Sequence, residues 1–471
     1  MDQQTENKPQ EKKKVLIETW GCQMNVADSE NMLNMLQKEN YEATSNPDEA
    51  DLVLLNTCHI REKATHKVLS RLGRLREISK DKNPNMKIAV AGCVAQAEGK
   101  KLLDKANNID VLLGPGKIAE LPDLIEEREK SGKKVVSVGF KAKKKSPEAP
   151  TPKPKYTQSV EAKPTLTGKS DISRYINIAQ GCNNFCTFCV VPFTRGREIS
   201  RHPSEIVEEA KNLIAEGASE ITLLGQNVNS YGLDLVENKQ LESSEDGPFV
   251  DLLKAVAELD GLERLRFTTS NPHDFTKPIS DIFGTHSKLG KYIHLPVQSG
   301  NDEVLERMKR KVTVEEYWQR VNWLREIDPE MALSTDLIVG FPGETEEQFQ
   351  DTLDLVEKVR YSFIFAFKYS PRKGTAAARF LDQVPEDVMS DRLARLNALQ
   401  DKITIEQNKA EIGRTRKVLC HYESKKEPGI YYGRTEQFRL VRIPANRDLV
   451  GKLVEVEITE SNKTALVGKL I

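Results

Sequence analysis

The sequence lacks any apolar run that approaches the roughly 18 residues needed to cross a membrane. Its first fourteen residues, MDQQTENKPQEKKK, are polar and contain no apolar core of the kind that a secretory signal peptide carries. These two absences predict a cytoplasmic protein without membrane association.

An excess of charge of either sign is also lacking, because 70 Lys and Arg residues balance 71 Asp and Glu residues. Such a chain has no overall positive field, which argues against a coat protein for DNA or RNA. Disulfides are disfavoured as well, since the seven cysteines are odd in number and spread over the chain. In a cytoplasmic protein such cysteines indicate metal or redox chemistry.

The length of 471 residues suggests two or three domains. Residues 14–140 alternate short apolar runs with amphipathic helical stretches, which predicts a parallel α/β domain of the flavodoxin or Rossmann type. Residues 141–170 are rich in Lys and Pro and are predicted to be a linker. Residues 171–411 hold six successive βα units, which favours a partial (β/α)6 barrel. Residues 412–471 consist of short strands and turns, which predicts a small all-β domain.

Three cysteines of the first domain each follow a predicted buried strand directly. They are Cys22 after KVLIETWG, Cys58 after ADLVLLNT and Cys93 after KIAVAG. Because the carboxyl ends of parallel strands share one edge of a sheet, we expect the three side chains to meet there. Three buried core cysteines are the alternative, but the shared position at the strand ends favours a joint metal site.

A second cysteine triad lies in the contiguous stretch GCNNFCTFC, where Cys182, Cys186 and Cys189 have no fourth cysteine near them. A tetrahedral zinc ion needs four ligands, and His202 is the alternative donor for a zinc knuckle, although CxxxCxxC is a poor zinc spacing. Three thiolates can instead hold three irons of a 4Fe–4S cluster and leave the fourth iron open. Cys420, the seventh cysteine, is predicted to be a core residue.

A CxxxCxxC loop with aromatic residues, at the end of the first strand of a (β/α)6 barrel, resembles the radical S-adenosylmethionine superfamily. The resemblance implies that the amino and carboxylate groups of S-adenosylmethionine chelate the open iron. The aromatic residues Phe185, Phe188 and Phe193 are expected to exclude water and oxygen from the cluster.

Three later stretches resemble the cosubstrate pocket of the same superfamily: LLGQNVNS (223–230), HLPVQSGN (294–301) and DLIVGFPGET (336–345). The resemblance implies a set of residues that contact S-adenosylmethionine: Gln226, Asn227, Gln298, Ser299, Arg310, Ile338 and Gly340.

Nearly the whole chain resembles one branch of that superfamily, the methylthiotransferases, through ETWGCQMNVADSE (18–30), NTCHIREKA (56–64), AGCVAQ (91–96) and a terminal TRAM-like β-domain. The resemblance implies that Cys22, Cys58 and Cys93 hold an auxiliary 4Fe–4S cluster. One S-adenosylmethionine would methylate a sulfur on that cluster, and a second would yield a 5′-deoxyadenosyl radical that removes hydrogen from carbon 2 of an adenine. The motifs most resemble the members that methylthiolate dimethylallyl (isopentenyl) adenosine beside the anticodon of transfer RNA.

The resemblance also implies partners. These are the tRNA anticodon stem–loop, an electron donor such as flavodoxin or ferredoxin, and a donor of sulfur or of iron–sulfur clusters; the protein itself is expected to be a monomer. Arg434, Arg439 and Arg442 in the β-domain are the expected RNA contacts. One alternative is a methylthiotransferase for threonylcarbamoyl-adenosine in tRNA or for a ribosomal-protein aspartate. The other is a non-enzymatic iron–sulfur protein that binds RNA or acts as a sensor.

Overall fold

The computed structural model describes residues 12–58, 63–140 and 172–471, without the side chains of residues 63 and 64. The chain divides into two compact units, Met1–Val160 and Glu161–Ile471. The linker predicted at 141–170 lies outside the described residues. Within the described residues, no helix is both long and apolar enough to span a bilayer.

The first unit is built on a six-stranded sheet in which every pairing is parallel and the strand order is β2-β1-β3-β4-β5-β6. The strands are β1 (Lys13–Trp20), β2 (Tyr41–Ala43), β3 (Leu52–Thr57), β4 (Lys87–Gly92), β5 (Val111–Leu113) and β6 (Val135–Ser137). The order 2-1-3-4-5 is that of flavodoxin-like sheets, so the predicted type of fold is confirmed. All six residues of β3 are buried, as is usual for a parallel strand covered on both faces.

Helices connect these strands: α1 (Gln23–Lys38), α2 (Lys63–Asp81), α3 (Cys93–Glu98), α4 (Lys101–Lys105) and α5 (Leu121–Ser131). Helix α5 ends where Gly132 takes up the left-handed conformation, with φ of 65°. A glycine adopts this conformation at the end of a helix without steric penalty.

The central domain, in the second unit, contains two three-stranded parallel sheets, ordered β11-β10-β7 and β12-β13-β14. A parallel bridge between Leu265 and Leu289 lies between them, so the six strands follow one another as in a partial barrel. The six principal strands are β7 (Ser173–Asn177), β10 (Glu220–Leu224), β11 (Arg264–Thr268), β12 (Tyr292–His294), β13 (Ala332–Val339) and β14 (Phe363–Lys368), and a short antiparallel pair consists of β8 (Ala179–Gln180) and β9 (Ile199–Ser200).

Nine helices are interspersed with these strands in the described part of this domain: α6 (Val191–Thr194), α7 (Pro203–Ala215), α8 (Leu233–Glu237), α9 (Pro248–Ala257), α10 (Lys277–Thr285), α11 (Asp302–Arg307), α12 (Val314–Ile327), α13 (Glu346–Val359) and α14 (Glu386–Lys409). Helices α12 and α13 begin with capping boxes, Thr313 with Glu316 and Thr345 with Gln348. In each box a side chain and a backbone amide exchange hydrogen bonds, which fixes where the helix begins after its strand–loop connection.

The last domain is a closed barrel of five strands, β15 (Thr415–Glu423), β16 (Ile430–Thr435), β17 (Leu440–Pro444), β18 (Leu453–Ser461) and β19 (Leu466–Leu470). Val418, Val441 and Ile458 lie in its core, and Cys420 is fully buried among them, as the sequence predicts. The expected fold class of α/β domain, partial (β/α)6 barrel and small β-domain is therefore confirmed.

The C-terminal β-domain covers the end of the radical barrel at which its strands begin. Arg264 donates from Nη1 to the carbonyl oxygen of Arg434 at 2.9 Å, and Arg266 donates from Nη2 to that of Thr435 at 3.1 Å. Both guanidinium groups also pair with the buried carboxylate of Glu220, at 3.6 and 3.0 Å. The two guanidinium groups are thus desolvated and satisfied by backbone oxygens, as buried charges require. We call these contacts the barrel floor.

Candidate metal centres and active-site cavity

The first cysteine triad lies at one edge of the N-terminal sheet. Trp20 pairs with Thr57, and Thr57 pairs with Gly92, so the three neighbouring strands β1, β3 and β4 end at matched positions. Cys58 and Cys93 are the next residues after β3 and β4, and Cys22 is the N-cap of α1, two residues after β1. The register therefore places the three cysteines at adjoining strand ends, as the sequence predicts.

Two buried asparagines support this strand-end triad. The Asn25 amide donates to Asn56 Oδ1 at 3.1 Å, and the Asn56 amide donates to the Asn25 carbonyl at 2.8 Å and to Ser29 Oγ at 2.9 Å. The Cys22 thiol donates to Asn25 Oδ1 at 3.4 Å. Sequence reasoning missed this network, although each asparagine lies within three residues of a cysteine in GCQMN and NTC.

Gly92 lets the end of β4 approach β3 closely. Its φ is 91°, and a Cβ atom there would lie 2.5 Å from the carbonyl oxygen of Thr57 and 2.6 Å from Asn56 Oδ1. Only glycine accommodates both the positive φ and the contact. The residue before Cys93 therefore sets the spacing of the strand-end triad.

The second triad lies on a loop that is tied to the barrel by backbone hydrogen bonds. Thr187 donates from its amide to the Met308 carbonyl at 3.0 Å and from its hydroxyl to the Arg307 carbonyl at 2.9 Å, and it accepts from the Ala377 amide at 3.0 Å. Cys182 donates from its amide to the Gly196 carbonyl at 3.2 Å. These bonds fix a segment that has almost no regular secondary structure of its own.

The sulfur atoms of the loop triad lie among hydrogen-bond donors. The amide of Asn184 donates to Cys182 Sγ at 3.5 Å, that of Val191 to Cys189 Sγ at 3.5 Å, and Arg310 Nη1 to Cys186 Sγ at 3.4 Å. Donors directed at cysteine sulfur are the means by which proteins tune iron–sulfur clusters.

Burial affects the protonation of this triad in the absence of metal. It raises the pKa of the Cys182 thiol to about 11 and that of the Cys189 thiol to about 12. Iron binding requires thiolates, and the positive charge of the metal provides the stabilisation that water no longer gives.

The donor set fits a cluster better than a single ion. Each of the seven cysteines, all of them within the described residues, is a thiol and not part of a disulfide. Among the described residues there is also no group of three or more His, Cys, Asp or Glu side chains arranged around one ion position. A cubane cluster spreads its cysteine ligands over different irons and leaves one iron for another ligand. The two cysteine triads stay the predicted donor sets for two such clusters.

The aromatic residues of the loop differ from expectation. Phe188 packs against the core cluster that contains Met308 and Phe341, but Phe185 and Phe193 are 43% and 54% exposed. Phe185 has a φ of 49°, and Arg197 lies over its ring at 5.3 Å. Only Phe188 is thus placed to shield the cysteines, because the other two rings face outward.

Two of the predicted cosubstrate residues contact the cysteine loop, and two others lie together at the end of β13. Gln226 accepts a hydrogen bond from the Gly181 amide, next to Cys182. Gln298 and Ile338 are joined at the end of β13, where the Ile338 amide donates to the Gln298 carbonyl at 3.0 Å. Arg310 reaches Cys186, as described above, while its Nε is buried and has no hydrogen-bond partner among the described residues.

The other members of that set use their polar groups within the protein. The Ser299 hydroxyl lies 3.5 Å from that of Thr352 in α13, and the Gly340 amide donates to Glu344 Oε2 at 2.6 Å. The Asn227 amide donates to Asp274 Oδ2 at 2.7 Å, while its Oδ1 is buried and finds no hydrogen-bond partner in the part of the chain that the structure describes. Of these three positions, Asn227 has an unused acceptor in the site.

A cavity of about 230 Å³ opens beside the cysteine loop, and its lining includes Asn184, Glu198, Asn227, Asp274 and Lys311. Asp274 accepts from Asn184 at 3.0 Å and from Asn227 at 2.7 Å, so it links the loop to the end of β10. Burial raises the pKa of Glu198 to about 7, although its hydrogen bond from Ser230 acts in the opposite direction. Sequence reasoning missed Asp274 and Glu198; the former lies in SNPHDF after β11, the latter in TRGRE after the cysteines.

The three predicted RNA-binding arginines have different surroundings. Arg434 donates to the Phe438 carbonyl at 2.8 Å and lies over the Phe438 ring at 4.0 Å, and burial lowers its pKa. Arg439 donates to Asn408 Oδ1 of α14 at 2.6 Å. Arg442 lies on the surface, 3.4 Å from Glu427. RNA binding by these residues stays a prediction, and the side chains of Arg434 and Arg439 are engaged in contacts within the protein.

Comparison with known proteins covers nearly the whole chain. Residues 14–114 match the uncharacterized protein family UPF0004, residues 176–356 the radical SAM superfamily, and residues 409–471 the TRAM domain.

Curated relatives named tRNA-2-methylthio-N(6)-dimethylallyladenosine synthase are similar over their full length. The protein from Syntrophotalea carbinolica is 40% identical over 98% of this chain and 100% of its own. Those from Clostridium botulinum strain Loch Maree and Geotalea uraniireducens are 43% and 42% identical, each over 97% of this chain and over 96% and 99% of their own.

Solved structures share the fold. The radical S-adenosylmethionine methyltransferase TsrM from Kitasatospora setae, with cobalamin and a 4Fe–4S cluster bound, aligns with a TM-score of 0.55 at 14% identity, over 78% of this chain and 77% of that one. The cobalamin-dependent S-adenosylmethionine radical enzyme OxsB aligns with a TM-score of 0.50 at 12% identity, over 83% of this chain and 56% of that one. At such identities the likeness concerns the fold alone.

Proposed function

The chain belongs to the tRNA-2-methylthio-N(6)-dimethylallyladenosine synthase family, and from that premise we propose how its two cysteine triads divide the reaction. The protein is a radical S-adenosylmethionine tRNA methylthiotransferase that adds a methylthio group to carbon 2 of dimethylallyl-adenosine beside the anticodon. It uses a 4Fe–4S cluster and S-adenosylmethionine.

The observation that carries the proposal is the loop triad with its surroundings. Cys182, Cys186 and Cys189 form a three-thiol donor set on a loop fixed to the barrel, and a polar cavity adjoins it. In our proposal these thiolates hold the radical cluster, and S-adenosylmethionine occupies the neighbouring part of the cavity. When bound, cluster and cosubstrate together supply the one-electron chemistry that can break an unactivated aromatic C–H bond.

Residues of this chain position those groups. Arg310 holds Cys186 from one side and donates to the Pro296 carbonyl at 2.5 Å, so its guanidinium cannot swing away from the sulfur. Asn227 offers the acceptor Oδ1, which suits an ammonium donor. Asp274 holds Asn184 and Asn227 in fixed orientations and so keeps the wall of the cavity in place. Gln298, Ser299, Ile338 and Gly340 belong to the proposed cosubstrate site by resemblance, and Ser299 and Gly340 are held there by Thr352 and Glu344.

We assign the auxiliary 4Fe–4S cluster to Cys22, Cys58 and Cys93. Matched strand ends and a shared asparagine network support this assignment, because they bring three thiols to one edge of the sheet. The auxiliary cluster would provide the sulfur that receives the methyl group and is then transferred.

The partners follow from this chemistry. The proposed macromolecular substrate is the tRNA anticodon stem–loop, since adenine in a loop can be unstacked and presented to a barrel mouth. An electron donor such as flavodoxin or ferredoxin would reduce the clusters, and a donor of sulfur or of clusters would restore the transferred atom. We propose a monomer that acts in the cytoplasm, where transfer RNA is modified. Of the three predicted arginines, Arg442 is proposed to contact RNA, since its side chain is 33% exposed and lies at the surface.

The proposal is tested by counting iron after anaerobic reconstitution with iron and sulfide. The intact protein is expected to hold about eight irons, and the variant with Cys182, Cys186 and Cys189 changed to Ala about four. Mössbauer spectroscopy and chemical assay provide the count. Four irons in the intact protein and none in this variant would overturn the assignment of the auxiliary cluster.

The matched variant carries Cys22, Cys58 and Cys93 changed to Ala. It is expected to hold about four irons and to form 5′-deoxyadenosine on reduction, but to give no methylthiolated RNA. Cys420→Ala serves as the control, since its buried thiol lies in the core of the β-domain. Loss of 5′-deoxyadenosine from the 22/58/93 variant while its four irons remain would contradict the proposed division of labour.

A further inference from the structure

Strand β14 has two chemically different faces. Ile364 and Ala366 pack against the hydrophobic core of the radical domain. Side chains alternate between the faces of a strand, so Phe363, Phe365 and Phe367 share the opposite face. Phe365 is 44% and Phe367 37% exposed. Neighbouring large apolar side chains that stay exposed on the inner face of a barrel strand indicate a binding surface.

These rings continue a ladder of aromatic side chains inside the barrel. Phe438 of the β-domain stacks on Tyr292 with centroids 4.9 Å apart, and Tyr292 stacks on Phe363 at 5.6 Å. Phe363 meets Phe365 edge to face at 5.4 Å, and His294 meets Phe365 at 5.7 Å. The ladder begins at the barrel floor and leaves its last rings accessible. We call Phe365 and Phe367 the open rungs.

The open rungs lie beside the proposed cosubstrate site. In the register of β13 and β14, Asp336 pairs with Phe365, and Ile338 pairs with Phe367. Ile338 and Phe188 of the cysteine loop both pack against the core cluster that contains Phe341. The open rungs are therefore paired, on the inner side of the barrel, with a strand that shares this cluster with the cysteine loop.

Polar groups next to the open rungs can recognise the edge of a base. His294 Nδ1 lies 2.8 Å from Ser334 Oγ, and His294 Nε2 lies 3.6 Å from Asp336 Oδ1. The side chain of Asp336 is 31% exposed, so its carboxylate can accept a further hydrogen bond from an N–H donor. The inner face thus combines ring faces, an acceptor and an imidazole within a few residues.

We propose that Phe365 and Phe367 bind the substrate adenine and its dimethylallyl group, and that Asp336 accepts a hydrogen bond from the N6–H of that base. This inference rests on the proposed function. A flat base stacks on aromatic rings, a branched five-carbon group is buried against apolar surface, and the one N–H donor between them meets a carboxylate. The open rungs are then what distinguishes a prenylated adenosine from a plain one.

The test compares the binding of two synthetic anticodon stem–loops, one with dimethylallyl-adenosine and one with unmodified adenosine at the same position. Binding to the reconstituted protein is measured by fluorescence anisotropy without a reductant, so that no turnover is needed. The intact protein is expected to prefer the prenylated RNA. Phe365→Ala and Phe367→Ala are expected to lower affinity for that RNA by about tenfold and to reduce the preference.

Phe140→Ala is the matched control, since Phe140 is 46% exposed and belongs to the first unit; it is expected to leave both affinities unchanged. If Phe365→Ala loses iron, Phe365→Leu removes the aromatic face at similar apolar volume and replaces it in the comparison. An unchanged preference in Phe367→Ala and in a Phe365 variant that retains its iron would overturn the inference. Absence of methylthiolated RNA from the intact enzyme, read by mass spectrometry, would instead refute the proposed function, whatever the binding result.

Discussion

The two cysteine triads reach similar donor sets by opposite routes. Cys22, Cys58 and Cys93 come from three distant points of the chain and are brought together by the register of β1, β3 and β4. Cys182, Cys186 and Cys189 are contiguous and owe their positions to hydrogen bonds between their loop and the barrel. The first triad is therefore part of a domain core, whereas the second is a loop attached to one.

This difference predicts that substitutions near the two triads have different effects. A change that disturbs the sheet edge should affect folding and iron binding together, since the same contacts set both. A change in the loop should affect iron binding while the fold persists, since loops contribute few buried contacts. The variants below measure how far the two triads differ in this respect.

The largest effects are expected at the glycines that precede a cysteine in each triad. Gly92→Ala would place a Cβ atom 2.5 Å from the Thr57 carbonyl oxygen at a φ of 91°. We therefore expect a loss of about 3 kcal/mol or more in unfolding free energy and loss of iron from the strand-end triad.

Gly181→Ala would place a Cβ atom 2.1 Å from the Arg197 carbonyl oxygen at a φ of 86°. We therefore expect loss of the loop-held iron, while the first unit unfolds as in the intact protein. Thermal unfolding and iron analysis measure both.

Gly132→Ala is the control for these variants. Its φ is 65°, but no atom lies within 4 Å of the added Cβ, so it shows the cost of the left-handed conformation alone, about 1–2 kcal/mol. If Gly92→Ala and Gly132→Ala lower the unfolding free energy equally, the close contact at the sheet edge contributes nothing beyond the left-handed conformation.

The next effect concerns the asparagine network of the strand-end triad. Asn56→Leu would deprive the buried Asn25 amide of its acceptor and would remove one hydrogen bond from the Ser29 hydroxyl, which also bonds Thr19; this is expected to cost about 2–4 kcal/mol of stability. Urea unfolding of the first unit measures this loss. The exposed Asn107→Ala should change the free energy of unfolding little, and a similar small effect for Asn56→Leu would show that the network is dispensable.

A smaller effect, on the retention of iron, is expected from substitution of a side chain that contacts the loop triad. Arg310→Lys removes the fork that joins Cys186 Sγ to the Pro296 carbonyl, since an ammonium group lacks that geometry. We expect a ten- to hundredfold faster loss of loop-held iron to a chelator, as for other residues that orient a metal ligand. Asn25→Ala is the counterpart at the strand-end triad. If Arg310→Lys releases iron at the rate of the intact protein, the arginine does not position the sulfur.

The smallest effect concerns acid, and it arises at the barrel floor. Burial lowers the pKa of His421 to about 4, and Arg434, Arg264 and Arg266 add to this, while Glu220 opposes it. A folded-state pKa below the unfolded value of about 6.5 means that stability is present above pH 6.5 and falls as the pH drops toward 4. Between pH 6.5 and 5 the loss is about 1–2 kcal/mol.

His421→Gln should flatten this pH dependence, because glutamine does not take up a proton. Differential scanning calorimetry of both proteins between pH 5 and 7 measures the slope. If the slope is the same with glutamine, another group is responsible for acid sensitivity.

Sequence patterns could predict the strands and the meeting of the first triad, because each apolar run leads straight into its cysteine. They could also predict the (β/α)6 order, since it follows from the alternation of elements along the chain. The contacts that the side chains of Arg434 and Arg439 make within the protein could not be predicted in this way. Their surroundings depend on contacts of the β-domain with other parts of the chain, as in the bonds from Arg264 and Arg266 to backbone oxygens about 170 positions away.

The proposed ligands could be named from the sequence, but the walls of the cavity could not. Cysteine spacing points to Cys182, Cys186 and Cys189 as proposed ligands, whereas Asp274 and Glu198 come to the cavity through loops whose path no periodicity encodes. The same holds for the outward rings of Phe185 and Phe193, since the positive φ of Phe185 is a local loop geometry. The open rungs depend on which face of β14 turns inward, and a short strand rich in apolar residues on both faces does not reveal this.

The barrel floor also determines the order in which parts of the structure can form during translation. A ribosome adds about 5–20 residues per second, so the β-domain emerges seconds after the last barrel strand. During that interval Glu220, Arg264 and Arg266 face water at the unfinished base of the nascent barrel, because the carbonyl groups that receive the arginines have not yet been made. A chain cut short before residue 412 would contain all six cysteines of the two triads and still have a hydrated base. The β-domain, which is translated after the barrel, thus completes the base of the barrel.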